Sequence, residues 1–177
     1  MEKLVTAKNG EQFIIRPIRR EDREELKKAL LKLSSNSIGQ RFFAMKSSFS
    51  ENELNYFTIV DDYQHIAYVA IHLNTENDEL EGAGVIRAIR SKDNPKEAEI
   101  AMTIIDKYQG IGLGKILLSF LSDRSSEKAI THFTGTLYRT NSPMIRLLTK
   151  FKKLTTYAEE SQVLSFKAEL PFITQKP

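Results

Sequence analysis

Residues 98–121 read AEIAMTIIDKYQGIGLGKILLSFL. The stretch passes from strand to helix within a few residues. Ala98 to Ile105 is apolar and rich in β-branched side chains, whereas Leu113, Ile116, Leu117, Phe120 and Leu121 recur at helical spacing. Between them Gly110, Gly112 and Gly114 alternate. Glycine tolerates the backbone angles needed to aim several N–H groups at one anion, and a helix N-terminus adds a favourable dipole. Phosphate is the natural ligand of such a loop. A nucleoside-triphosphate loop requires glycine where Gln109 stands and Ser or Thr where Ile116 stands. The dinucleotide fingerprint fails as well, because Gly-x-Gly-x-Gly is not Gly-x-Gly-x-x-Gly.

Working outward, Asn9-Gly10 is a turn dipeptide between Leu4 to Ala7 and Gln12 to Ile18, and predicts a first hairpin. Leu26, Ala29, Leu30 and Leu33 predict an amphipathic helix from Arg20, with acidic residues early, where the helix dipole favours them. A short helix over Ser35 to Phe43 follows, and Ser50-Glu51-Asn52-Glu53 has the form of a capping box opening a helix over Glu51 to Ile59. Ile66 to Leu73, Leu80 to Ile89 and Ala98 to Ile105 predict three consecutive antiparallel strands, joined by turns at Asn74 to Glu79 and Ser91 to Pro95. Beyond the central helix come a strand over Ile130 to Tyr138, a helix carrying Met144, Leu147, Leu148 and Phe151, and one or two strands between Thr155 and Leu170. The sum is an α/β (α+β) fold, expected as a single domain over residues 1–177.

Composition bounds the function. Apolar residues make up 41% and charged residues 28%, as in ordinary globular proteins. The absence of cysteine excludes disulfides, zinc–thiolate sites and cysteine nucleophiles. A net charge of +3, dispersed among acidic residues, argues against nucleic acid as a partner. No hydrophobic run spans a membrane, Met1 to Asn9 hold no secretory core, and a cytoplasmic location is expected. His65, His72 and His132 are too dispersed for a metal motif, so no metal is expected. Edge strands allow a monomer or a homodimer.

The order Gln-x-x-Gly-x-Gly at 109–114, after a strand and opening a helix, resembles motif A of the GNAT acetyltransferases, whose amides bind the pyrophosphate of coenzyme A. The resemblance extends over nearly the whole chain and points to the GNAT domains of bacterial protein lysine acetyltransferases. It is carried by Arg16-Pro17-Ile18-Arg19 with Glu21-Asp22, Leu33-Ser34 leading to Ser37 and Arg41-Phe42-Phe43, and Asp62-Tyr63 leading to Ala67-Tyr68-Val69-Ala70. Ala98-Glu99-Ile100-Ala101, Asp106 with residues 109–114, and Asn141 with Met144, Leu147 and Leu148 complete it. The resemblance implies a mixed, mostly antiparallel sheet of six to seven strands with about four helices and a splayed strand pair at the cofactor site. It implies acetyl-CoA as cosubstrate and an amine acceptor, a protein lysine (on an acyl-CoA synthetase, for example) or a small amine.

Acetyl transfer to an amine needs a base, because lysine's unperturbed pKa of ~10.4 leaves it protonated at neutral pH. Glu99, at the upstream end of the strand feeding the glycine loop, matches the family's proposed base. Its apolar surroundings in the sequence predict desolvation, while Glu97 competes with it if the strand starts earlier. By resemblance, Ile104, Ile105 and Asp106 line the pantetheine arm through their main chain, and Gln109, Gly110, Ile111, Gly112, Leu113 and Gly114 hold the pyrophosphate. Lys115 adds charge near a phosphate, or is simply solvated. Asn141 matches a cofactor-contacting asparagine and is equally an N-cap. Arg41-Phe42-Phe43 either borders the acceptor groove or packs as a buried aromatic pair with a structural arginine. Two departures stand out: Leu148 occupies the position of the tyrosine that protonates the departing thiolate in many members, and Phe151-Lys152-Lys153 replaces a Gly-Phe pair. They keep a second reading open, an acyl-CoA-binding module without turnover.

Overall fold

Gly10, with φ +91°, closes the first hairpin, and Ala7 and Gly10 exchange the turn's hydrogen bonds with Glu11 and Ala7. The hairpin starts a sheet that the computed structural model follows through residues 2–73, 80–160 and 162–173, the residues described below. The strands are β1 (Lys3–Thr6), β2 (Gln12–Pro17), β3 (His65–Leu73), β4 (Leu80–Arg90), β5 (Glu97–Ile104), β6 (His132–Tyr138), β7 (Leu154–Glu160) and β8 (Val163–Glu169). They lie in the order β1-β2-β3-β4-β5-β6-β8-β7, antiparallel except for β5 with β6. The helices are α1 (Arg23–Leu31), α2 (Ser35–Phe42), α3 (Glu51–Thr58), α4 (Leu113–Glu127) and α5 (Ser142–Leu148). The eight strands exceed the six to seven that the resemblance implies because both ends of the chain form complete hairpins, and the five helices, against about four implied, are those that the helical spacing predicts. The expected turn over Asn74 to Glu79 lies outside the described residues.

α4 covers one face of the sheet. Its Leu113, Leu117, Phe120 and Leu121 are buried with Ile66, Tyr68, Ile86 and Ala88, and each large side chain so placed contributes about 1.5–3 kcal/mol. A smaller cluster of Ile18, Ala67, Val69 and Ile71 lies on the other face, beneath α1. Arg16 and Asp22 tie β2 to the start of α1 through two parallel hydrogen bonds of 2.8 and 2.6 Å, and Asp22 also accepts the Arg19 amide. This explains the Arg-Pro-Ile-Arg motif with its trailing acid. The capping box at Ser50 and Glu53 forms as the spacing predicts.

The feature that positions the site lies between β5 and β6. Only Glu97, Ala98 and Glu99 pair with His132, Phe133 and Thr134, although both strands continue for at least four residues. Beyond Glu99 the two strands separate, as the expected splay requires. Gly135 sits at the parting. A Cβ there would meet the buried ring of Phe166 at 2.8 Å and the Ile100 carbonyl oxygen at 3.3 Å. Gly135→Ala is therefore expected to destabilise the fold by about 1–3 kcal/mol, measured by denaturant unfolding with unchanged slope.

Candidate active site

The glycine loop is held from below by Tyr108, whose ring is fully buried edge-on to Phe13 at 5.5 Å and tilted against His72 at 5.1 Å. Its hydroxyl donates to Glu81, which Lys32 and Lys107 also hold. From above, α2 braces the same turn. Burial opposes ionisation of Asp106, but hydrogen bonds from the side chains of Ser34 and Ser37 and the Ser34 backbone outweigh it and hold its pKa below the ordinary value. The Gln109 amide group donates to Ile104 O at 3.0 Å, Ser37 Oγ at 3.2 Å and Asp106 Oδ1 at 3.3 Å. The family motif at Leu33-Ser34 and Ser37 thus belongs to the loop's scaffold.

Above this scaffold the backbone is open. Gly110 and Gly112 take φ of +79° and +92°, in the left-handed region that favours glycine. Among the described residues, the amides of Gly110, Ile111, Gly112, Leu113 and Gly114 donate to no protein acceptor, and regular helix bonding starts with Lys115 and Ile116 donating to Gly112 O. Five successive free donors stand at the start of a fifteen-residue helix, the arrangement that an anion requires. Lys8, which sequence reasoning passed over, reaches the loop from the first hairpin. Its amide donates to Ile111 O at 3.0 Å, and its side-chain stem lies 3.2–3.4 Å from where a Gly112 Cβ would stand. Only the tertiary fold brings it there.

Part of the main chain of Ile105 and Asp106 is engaged within the fold. The Ile105 N–H donates to Ala83 and its carbonyl accepts from Tyr108, while the Asp106 carbonyl accepts from Gln109. Because Ile105 faces β4, the alternation of the ladder turns the main-chain groups of Met102 and Ile104 toward the gap beside β6. Asn141 caps α5, accepting from Met144 N at 3.1 Å. Its side-chain amide N has no partner among the described residues. Leu148, at the position of the missing tyrosine, is buried.

Glu99 occupies the last rung before β5 and β6 part. It is exposed, not desolvated as its apolar neighbours in sequence suggest, because alternation turns it away from the core that holds Ala98 and Ile100. β5 starts early enough for Glu97 to share its face. Glu97 is bound to Lys167 at 2.6 Å and Asn94 at 2.7 Å, whereas Glu99 makes no ion pair or hydrogen bond among the described residues. From Glu99 to Ile105, six residues of strand span ~20 Å, the reach of an extended pantetheine arm.

On the same face lies His65, in register with Ile89 and so with Glu99. Its Nε2 is 3.0 Å from Nη1 of Arg87, and its pKa is pushed down to about 4 by burial and by that guanidinium, against the pull of Asp61. Arg87 interrupts an apolar run in β4, a signal visible in the sequence.

Residues 18–152 match the Acetyltransferase (GNAT) family. The chain belongs to that family. Among curated relatives, an acetyltransferase of Pseudomonas aeruginosa is 34% identical over 115 residues, 65% of this chain and 60% of the relative. The Acetyltransferase Pat of Mycolicibacterium smegmatis is 26% identical over 144 residues, 81% of this chain and 42% of the relative. The chain thus spans about half the length of the curated relatives it matches. The GNAT domain of S. lividans PAT superposes with a TM-score of 0.83 at 25% identity, covering 96% of this chain and 97% of that one. PaiA N-acetyltransferase of Thermoplasma acidophilum, in complex with coenzyme A, shares the fold at a TM-score of 0.63 and 14% identity, covering 89% of this chain and 99% of that one. The family match and the free amides of residues 110–114 thus fall on the same strand, loop and helix. No described helix is long and apolar enough to cross a membrane, and no three described His, Asp or Glu side chains converge on a metal site.

His65 sets a pH window. Unfolded, it binds a proton near 6.5; folded, it refuses one until about 4, so the unfolded chain binds more protons between those values and stability falls as pH falls. The melting temperature is expected to drop from pH 6.5 to pH 4, with His65→Gln removing part of that dependence.

Proposed function

We propose that the protein moves the acetyl group of acetyl-CoA directly to a primary amine, the side chain of a protein lysine, with Glu99 as general base. The observation that carries this reading is one alignment: five unpartnered amides at residues 110–114, the opening between β5 and β6, and Glu99 at its apex. Phosphates held at the loop place an extended arm along β5 with its thioester near Glu99. The acceptor nitrogen attacks the thioester carbonyl, Glu99 takes the proton the nitrogen gives up, the C–S bond breaks, and the thiolate is protonated by water. Lys8 and Lys115 add positive charge at the phosphates. Phe43, Met45 and Tyr56, all exposed beside α2 and α3, suit a protein acceptor better than a small polyamine. The Pat relative supports the same choice, with acyl-CoA synthetases as the first acceptors to try. A cysteine-free chain fits the cytoplasm, and we read residues 1–177 as one catalytic domain, working as monomer or homodimer.

Leu148 favours one second reading, a module that holds acyl-CoA without turnover, because no side-chain acid stands where many members place one. Turnover separates the two. Purified protein with acetyl-CoA and a lysine acceptor is expected to release free thiol, and Glu99→Gln to lower kcat by about 10²–10⁴-fold while leaving coenzyme A affinity within twofold. A variant as fast as the parent removes Glu99 as base; a parent that binds acetyl-CoA but acetylates neither synthetases nor polyamines supports the module. Gly112→Ala combines a strained backbone with a contact against Lys8, and is expected to weaken coenzyme A binding at least tenfold by calorimetry.

A further inference from the structure

The sheet face beside Glu99 holds two guanidinium groups without a carboxylate partner. Ala67, Arg87 and Ala101 form one row across β3, β4 and β5, and His65, Ile89 and Glu99 form the next. Arg87 is 3% exposed. It donates to Phe57 O, meets His65, and stacks on the Phe57 ring at 4.7 Å, yet no acid lies within ion-pair distance among the described residues. Arg41 comes down from α2, which packs over β5 and β6. Its guanidinium lies 5.0 Å from the Phe42 ring, and its donors have no protein acceptor among the described residues, although none of them is sealed from solvent. Unpaired donors that reach solvent are open to an acceptor from outside the chain, which makes the space between Arg41 and Glu99 a candidate groove.

The pair rests on aromatic rings. Phe42, Phe49 and Phe57 form a ladder with centroids 5.9 and 5.4 Å apart, with Arg41 at one end and Arg87 at the other. Ring faces stabilise the cations without neutralising them. Other buried or partly buried cations nearby are satisfied differently. Arg16 is paired with Asp22, Lys46 with Glu53, and Arg90 donates to the carbonyls of Tyr63, Pro95 and Lys128. Burial lowers the pKa of Arg41 against the attraction of Glu99, and that of Arg87 to about 9 together with the charge of Arg41. Neither guanidinium is paired with a carboxylate among the described residues, and Glu99 is the acid whose charge bears on Arg41.

We propose that this groove selects an acceptor amine with a carboxylate close to it: a lysine with an acidic residue as its neighbour, the carboxylate received by Arg41 while Glu99 faces the amine. This rests on the reading of Glu99 as base. A bare ammonium entering the groove meets the unpaired guanidinium of Arg41, whereas a lysine with an acidic neighbour brings that guanidinium a carboxylate. A planar guanidinium with free donors receives a carboxylate through paired hydrogen bonds. Arg87, too deep to touch the acceptor, supplies field from beneath.

The test uses matched peptides with one lysine, differing only in whether the adjacent residue is Glu, Gln or Lys, plus free acidic amino acids as a separate arm. The parent is expected to show kcat/KM about tenfold higher for the Glu peptide than for Gln, and lower still for Lys. Arg41→Gln is expected to bring the Glu-to-Gln ratio to about one, and Arg41→Lys to keep part of it, with circular dichroism checking that both fold. Equal rates for the three peptides in the parent, or an undiminished ratio in Arg41→Gln, overturns the proposal. Preference for free acidic amino acids over every peptide overturns the lysine assignment and leaves the carboxylate site. Absence of transfer to any amine is a different failure, that of the acetyltransferase reading itself.

Discussion

The parting of β5 from β6 after three rungs is the constraint around which the rest is arranged. Sheets normally satisfy their backbone by continuous pairing, and an unpaired strand edge inside a fold is costly unless something else meets it. Here Gly135 lets β6 press against Phe166 while β5 leans away, and Gln109 covers the Ile104 carbonyl at the open end. What remains open is a slot lined by main chain. At its wide end lie the bare amides of the glycine loop, and at its narrow end the carboxylate of Glu99. The core under α4 and the brace from α2 keep both ends fixed relative to each other.

Much of this was legible in the residues. Helical and strand periods located the elements closely, because each amphipathic face matches a real packing surface, and the Gly-x-Gly-x-Gly alternation marked the two positions that need positive φ. Other features were hidden for physical reasons. The sequence around Glu99 looks apolar, yet strand alternation sends its neighbours to the core and leaves Glu99 exposed; hydropathy along the chain does not resolve the two faces. What distinguishes Glu97 from Glu99 is Lys167, which lies across the sheet and seventy residues away in the chain. Ile105 looks like free backbone at a strand end, but its partner Ala83 lies on another strand. Lys8 was beyond reach for the same reason. Arg87 was different, since a charge inside an apolar strand run is visible without coordinates.

Several motif residues prove to act at a distance from chemistry. Arg16 and Asp22 clamp β2 to α1, and Ser34 and Ser37 grip the turn before the glycines. Asn141 has a capping duty that any N-terminus of a helix would reward, so its presence alone says little about coenzyme. Tyr108, wedged between Phe13 and His72, makes the last residue before the loop part of the core, and a loop rooted in the core presents its amides at fixed angles.

The short helix α2 touches both halves of the slot. Its first turn grips Asp106 and Gln109, and its last carries Arg41 over β5 and β6. Eight residues at 1.5 Å each make it a strut of ~12 Å with almost no compliance. It therefore works as a spacer bar: the separation between the glycine loop and the guanidinium is set by the number of residues in one helix. Lengthening α2 by a single residue would rotate Arg41 by about 100° and turn its donors out of the groove, even with the glycine loop and Glu99 left untouched.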